Sequence, residues 1–257
     1  MATVMNGPVP IMTEDHGGSG QDVLLLHGGG RTRADWEPLA GLLVGAGFRP
    51  VSMDLRGHGE SGAAPWSWPA VLEDVAAVAD AYQLHRPVVV GHSLGGMIAA
   101  LWAAEHPECR LAVNLDGHGN PTRPGQFAGL DANAAAGACR EMTAFLAEMG
   151  QGLPESFLQV MREIDALDLF PVYRRARCPL LVVSGDAPAF AAVFPDRLVP
   201  AWEAYCAWTR RELDAVTREF PLVRQASLPT GHDPHVEAPE TVLRLLMQHL
   251  ARPAAPA

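Results

Sequence analysis

Residues 87–106 read PVVVGHSLGGMIAALWAAEH. The opening Pro87-Val88-Val89-Val90 is a short, continuous apolar run, as expected of a strand buried on both faces. Leu94 to His106 is long enough and apolar enough for a helix. Between them, Gly91-His92-Ser93-Leu94-Gly95 fits G-x-S-x-G at a strand-to-helix turn, the setting this motif mechanically requires. Bulky residues at Gly91 and Gly95 would clash in a turn that tight, and Ser93 is pushed clear of the backbone. The following helix points its positive N-terminal end at the same spot. The stretch predicts an activated serine at the end of a sheet.

The flanks repeat the same alternation. Asn6-Gly7 between two apolar runs is a hairpin signal. Asp22-Val23-Leu24-Leu25-Leu26 reads as a buried strand, followed by a helical spacing of Trp36, Leu39, Leu43 and Ala46. Then come a strand at Pro50–Met53, a helix over Pro69–Leu84 and, beyond the central stretch, a strand at Leu111–Leu115. From about Asn120 the alternation stops. Two helical patterns follow, one carrying Met142, Phe145, Leu146 and Met149, the other Phe157, Met161 and Ile164. Strands resume at Pro179–Val183 and Leu222–Leu228, separated by a helix over Trp202–Phe220, and a last helix spans Pro239–Leu250. Strands alternating with helices predict an α/β fold on a mostly parallel sheet. The division expected is a core over 1–119 and 178–257, with a helical cap inserted over 120–177.

Composition removes several function classes. The chain has 257 residues, and all 19 of its Lys+Arg are Arg. Without a lysine there is no Schiff-base, pyridoxal-phosphate or Walker-type chemistry. A net charge of -10 and the lack of a dense basic cluster disfavour nucleic acid as a partner. No apolar run approaches the roughly 18 residues of a membrane span. Cys109, Cys139, Cys178 and Cys206 lie far apart, without zinc-like spacing, and read as reduced thiols of a cytoplasmic protein. The sequence does not specify the oligomeric state.

A second motif complements the serine. His27-Gly28-Gly29-Gly30 follows the strand ending at Leu26. Acyl transfer needs two backbone N–H groups aimed at the developing oxyanion. Leu94, next after the serine, is placed to supply one, and Gly29 is the choice for the other.

LLLHGGG, DLRGHGES (54–61), GHSLGG (91–96) and GHDPHVEAPE (231–240) stand in the order and spacing seen in the α/β-hydrolase superfamily, which this chain resembles outside the 120–177 insertion. The resemblance implies an eight-stranded, mostly parallel sheet with helices on both faces and a helical cap between strands six and seven. It makes His232 the catalytic base. The acid departs from the commonest pattern, because the position three residues after Gly185 is Pro188. Asp116, closing strand six, is the first choice and Asp186 the alternative; acid placement after strand six resembles the zearalenone-type lactonases.

The reaction expected is ester or lactone cleavage of a small, largely apolar or aromatic substrate through an acyl-enzyme, with Ser93, His232 and Asp116 as the triad. No His/Asp/Glu cluster has ligand spacing, and the chemistry needs neither a metal nor another cofactor. Trp66, Trp68, Met142, Phe145, Met149, Phe157 and Met161 are the candidates for the substrate pocket. Carbon–carbon bond hydrolysis, cyclase or lyase chemistry, and a receptor that only binds its ligand are the alternatives on the same fold.

Overall fold

In the computed structural model, residues 1–185 and 194–251 are described. The chain opens with β1 (Ala2–Asn6) and β2 (Val9–Asp15), joined through Gly7 at φ +57°. After them come β3 (Gln21–Leu26), α1 (Glu37–Gly45), β4 (Phe48–Met53), α2 (Trp68–Ala81), β5 (Val88–His92), α3 (Leu94–Glu105) and β6 (Leu111–Leu115). Three helices, α4 (Ala132–Met149), α5 (Glu155–Ala166) and α6 (Leu169–Tyr173), separate β6 from β7 (Leu180–Gly185). The chain ends with α7 (Val199–Glu219), β8 (Val223–Leu228), α8 (Pro234–Glu237) and α9 (Pro239–Leu250).

The eight strands form one sheet in the order β1-β2-β4-β3-β5-β6-β7-β8. β1 and β2 pair antiparallel and β2 joins β4 antiparallel; every other pairing is parallel. Alternation along the strands explains why the central ones are apolar throughout. Leu24, Leu26, Val89, Ala112, Leu180 and Val182 face one layer with α2 and α3, whereas Val23, Leu25, Val88, Val90, Val113 and Leu181 face α1 and α9 on the other. Each fully buried Val or Leu contributes ~1.5–3 kcal/mol relative to exposure. A charge at Val90 would break this layer.

The strand order reverses between β3 and β5, with Leu26 paired to Gly91. Ligand sites of open α/β sheets lie beyond the strand ends at such a reversal. Both sequence motifs sit there, because His27-Gly28 leaves β3 and His92-Ser93 leaves β5.

The region read as a cap holds no strand, and its α-helices α4, α5 and α6 are one more than the periodicity gave. α6 has only five residues, too few to show a period, and is opened by Asp168, whose side chain accepts the Phe170 N–H at 3.1 Å. α7 also joins this layer: Ala201, Trp202 and Tyr205 pack with Met142 and Phe127 in a cluster of their own.

Candidate active site

The backbone of Ser93 holds φ +49° and ψ −114°, a conformation that side chains adopt only when their surroundings impose it. Glycines impose it here. A Cβ on Gly91 would lie 1.9 Å from the Gly95 carbonyl oxygen, and one on Gly95 would lie 2.1 Å from that of Leu26. Neither contact is possible, so the elbow closes only with these residues.

Asp116 occupies the matching position one strand over. His92 pairs with Leu115 in the β5–β6 register, so Ser93 and Asp116 leave neighbouring strand ends side by side. The Ser93 N–H donates to Leu115 O at 2.9 Å and the Asp116 N–H to Val183 O at 2.7 Å. Asp116 also has a positive φ, +53°. Its side chain accepts from Gly185 N at 3.0 Å through Oδ1, and Oδ2 lies 2.7 Å from Nδ1 of His232. Burial opposes ionisation of Asp116. The hydrogen bond with His232, the field of His118 and the Gly185 N–H outweigh it and hold the carboxyl below its ordinary range. Asp186 lies outside the described residues.

His232 sits on the loop between β8 and α8 and is tied to the elbow from behind. The His92 Nε2–H donates to the His232 carbonyl at 2.7 Å, and the two rings meet edge to face at 4.9 Å. Burial, with the field of His232 second, pushes the His92 pKa down to about 3, so this ring stays a neutral donor. Asp233 continues the tie: its Oδ2 accepts from Arg31 Nη2 at 2.7 Å. Arg31 leaves the glycine loop directly, so elbow, glycine loop and histidine loop are linked through three side chains. Nothing local in the sequence marks His92 for this task, because its hydrogen bond spans 140 residues.

Gly29 and Leu94 come together. A Cβ placed on Gly29 would lie 4.0 Å from Leu94 Cδ2 and 3.9 Å from Phe157 Cε2. Phe157 of α5 therefore closes over the glycine loop. The other pocket candidates divide. Trp66 and Trp68 stack edge to face at 4.9 Å, and both anchor α5: Gln159 Nε2 donates to Trp66 O at 3.0 Å and Trp68 Nε1 to Glu163 O at 3.2 Å. Met142 is wholly buried in the α4–α7 cluster, and Phe145 packs on Phe194 at 5.5 Å. Met149 is 54% exposed, because it is the last residue of α4, where the apolar stripe has run past its partner. Met161 is half-buried.

Two cavities flank Asp116. One, of about 60 Å³, is lined by Asp116, His118, Phe170, Tyr173, Tyr205 and Trp208. The other, partly open and of about 770 Å³, runs from Asp116, His118 and Gly185 past Trp202 and Tyr205 toward β8. Neither is lined by the seven pocket candidates. His118, not among the sequence candidates, faces both cavities, and its ring lies 6.0 Å from that of His232.

The signature of the alpha/beta hydrolase family matches residues 23–245. The chain belongs to that family. Among curated relatives, it is 29% identical over 267 residues to the pimeloyl-[acyl-carrier protein] methyl ester esterase of Chromobacterium violaceum, with 91% of this chain and 95% of that one covered. A putative carbamate hydrolase of Variovorax paradoxus is 38% identical over 103 residues, covering 38% of this chain and 39% of its own. Among solved structures, the enol-lactonase from Burkholderia xenovorans LB400 superposes with a TM-score of 0.69 over 98% of this chain and 100% of its own, at 19% identity. That likeness is one of fold. Among the described residues, no helix of this hydrolase is long and apolar enough to cross a membrane.

Proposed function

We propose that this hydrolase cleaves an ester or lactone bond of a small, largely apolar or aromatic molecule, with Ser93 as nucleophile, His232 as base and Asp116 as the acid that orients it. The observation that carries the reading is the 2.7 Å contact between His232 Nδ1 and Asp116 Oδ2, beside a serine held on a strained strand-to-helix turn. Asp116 keeps the Nδ1–H tautomer, so Nε2 is free of hydrogen and can take the Ser93 proton. The Ser93 oxygen then attacks the carbonyl carbon. The N–H groups of Leu94 and Gly29 hold the oxyanion. The leaving alcohol takes the proton from His232, and water activated by the same ring releases the acid. Curated relatives named as a methyl ester esterase and a carbamate hydrolase support acyl chemistry of this kind.

A fluorophosphonate probe tests the nucleophile. Intact mass should show one adduct on the wild type and none on Ser93→Ala. A folded wild type that takes no adduct would sink the reading.

A further inference from the structure

Asp116, His118 and His232 can each offer one ligand atom, and these atoms lie within 4.8 Å of one another. We propose that the three form a binding site for a divalent transition-metal ion, and that occupancy switches the serine off. The second half rests on the proposed roles of Ser93 and His232; the first does not.

The donor set is two imidazole nitrogens and one carboxylate oxygen, which suits zinc, cobalt(II) or nickel(II) rather than magnesium or calcium. Zinc holds such ligands at about 2.0–2.2 Å. Neighbouring ligands of a tetrahedral ion are then about 3.3 Å apart, so small side-chain rotations from the present spacing complete a site.

Each ligand is also braced in the way metal ligands are braced. His118 Nδ1 lies 3.0 Å from Gly119 O; this contact to a carbonyl puts the hydrogen on Nδ1 and leaves Nε2 as the basic nitrogen. Asp116 uses Oδ1 for the Gly185 N–H, which turns Oδ2 toward the histidines. His232 is fixed through its carbonyl by His92. The larger cavity gives a route from solvent: Asp116 and His118 line it together with Glu203, Asp214 and Arg210. With Asp116, that is three carboxylates against one guanidinium, a field that draws cations inward.

A metal on His232 Nδ1 reverses the ring's role. The hydrogen displaced from Nδ1 is carried at Nε2 instead, since neutral imidazole holds one hydrogen and the metal has taken the other nitrogen. Nε2 then donates and can no longer accept the Ser93 proton. Asp116, engaged by the ion, no longer balances a charged ring.

Tag-free protein stripped with chelator should be titrated with cobalt(II), followed by visible absorption and calorimetry. One saturable site is expected on the wild type and on Ser93→Ala. Affinity should fall at least ~tenfold in His118→Ala, His118→Phe and Asp116→Asn, each checked for folding by circular dichroism. Zinc should slow fluorophosphonate labelling of the wild type, and chelator should restore it. No binding, or equal binding in the folded His118 variants, would overturn the site; binding without slower labelling would overturn the switch. A metal-free wild type that never labels would instead count against the proposed hydrolase mechanism, while the cobalt titration still reports on the site.

Discussion

Ser93 and Asp116 end adjacent strands and share an unusual backbone, φ +49° and +53°; both corners close on glycine, but only the Asp116 corner adds a network of side-chain hydrogen bonds. The Ser93 corner is held by close approach of main chain: Gly91 and Gly95 admit backbone where a Cβ would overlap it. The Asp116 corner has a close approach of its own, since a Cβ on Gly117 would lie 2.4 Å from Ser93 O, and it adds a buried side-chain tie. Asn114 is fully buried; its Oδ1 accepts from Gly117 N at 2.7 Å, while its Nδ2 donates to Gly117 O at 2.8 Å and to Tyr173 Oη at 3.0 Å. Steric closure gives one rigid answer. A hydrogen-bonded corner can be tuned, and through Tyr173 this one is tied to α6.

The largest effect should come from Asp116→Asn. Asn tolerates a positive φ and matches Asp in shape, so the corner should stay folded. Turnover should drop by about 10⁴, since an amide no longer fixes the His232 tautomer or balances its charge. Steady-state kinetics with thermal melts checks both halves. A loss under tenfold would move the acid elsewhere, and Asp186 would be the next carboxylate to remove.

A smaller change separates the two kinds of corner. Asn114→Ala leaves the Gly117 N–H and the Tyr173 hydroxyl buried without their partner, at a cost of about 1–3 kcal/mol. The Asp116 carboxylate should then wander, so kcat should fall while KM holds. Denaturant midpoints and kinetics on the same preparation provide the readout. Unaltered stability would mean that Asn114 is not what holds the turn.

The same contrast explains what was legible in the sequence. Steric closure demands glycine, and glycines spaced around a serine between a strand and a helix are visible in the chain. The sheet was legible for a related reason: strands buried on both faces must be continuously apolar, as Val88–Val90 and Leu180–Val183 are. Asn114 carries no such mark, because an Asn at a strand end looks like any turn residue. His92 and His118 were equally silent, since the His92 hydrogen bond and the His118 ring contacts join segments far apart in the chain. In the inserted helices, Met142 and Met149 share a stripe, but only tertiary packing decides that one is buried and the other exposed.

The smallest effect concerns the buried rings behind the Ser93 corner. The His92 ring packs against that of His235 at 4.4 Å, and His235 against Trp36 at 4.4 Å, both pairs tilted. His235 is wholly buried, and neither ring nitrogen has a hydrogen-bond partner among the described residues. Burial, followed by the field of His92, pushes its pKa down to about 3. Below about 6.5, the ordinary imidazole value, the unfolded chain therefore binds a proton that the folded chain refuses. The neutral ring's stability is intact above that pH and is lost as the pH falls toward 3. His235→Phe keeps the packed surface and removes both unpaired nitrogens. It should raise stability by about 1 kcal/mol at neutral pH, and its advantage over the wild type should widen at pH 5. Urea midpoints at the two pH values measure this. A destabilised Phe variant would show that the ring's nitrogens are needed.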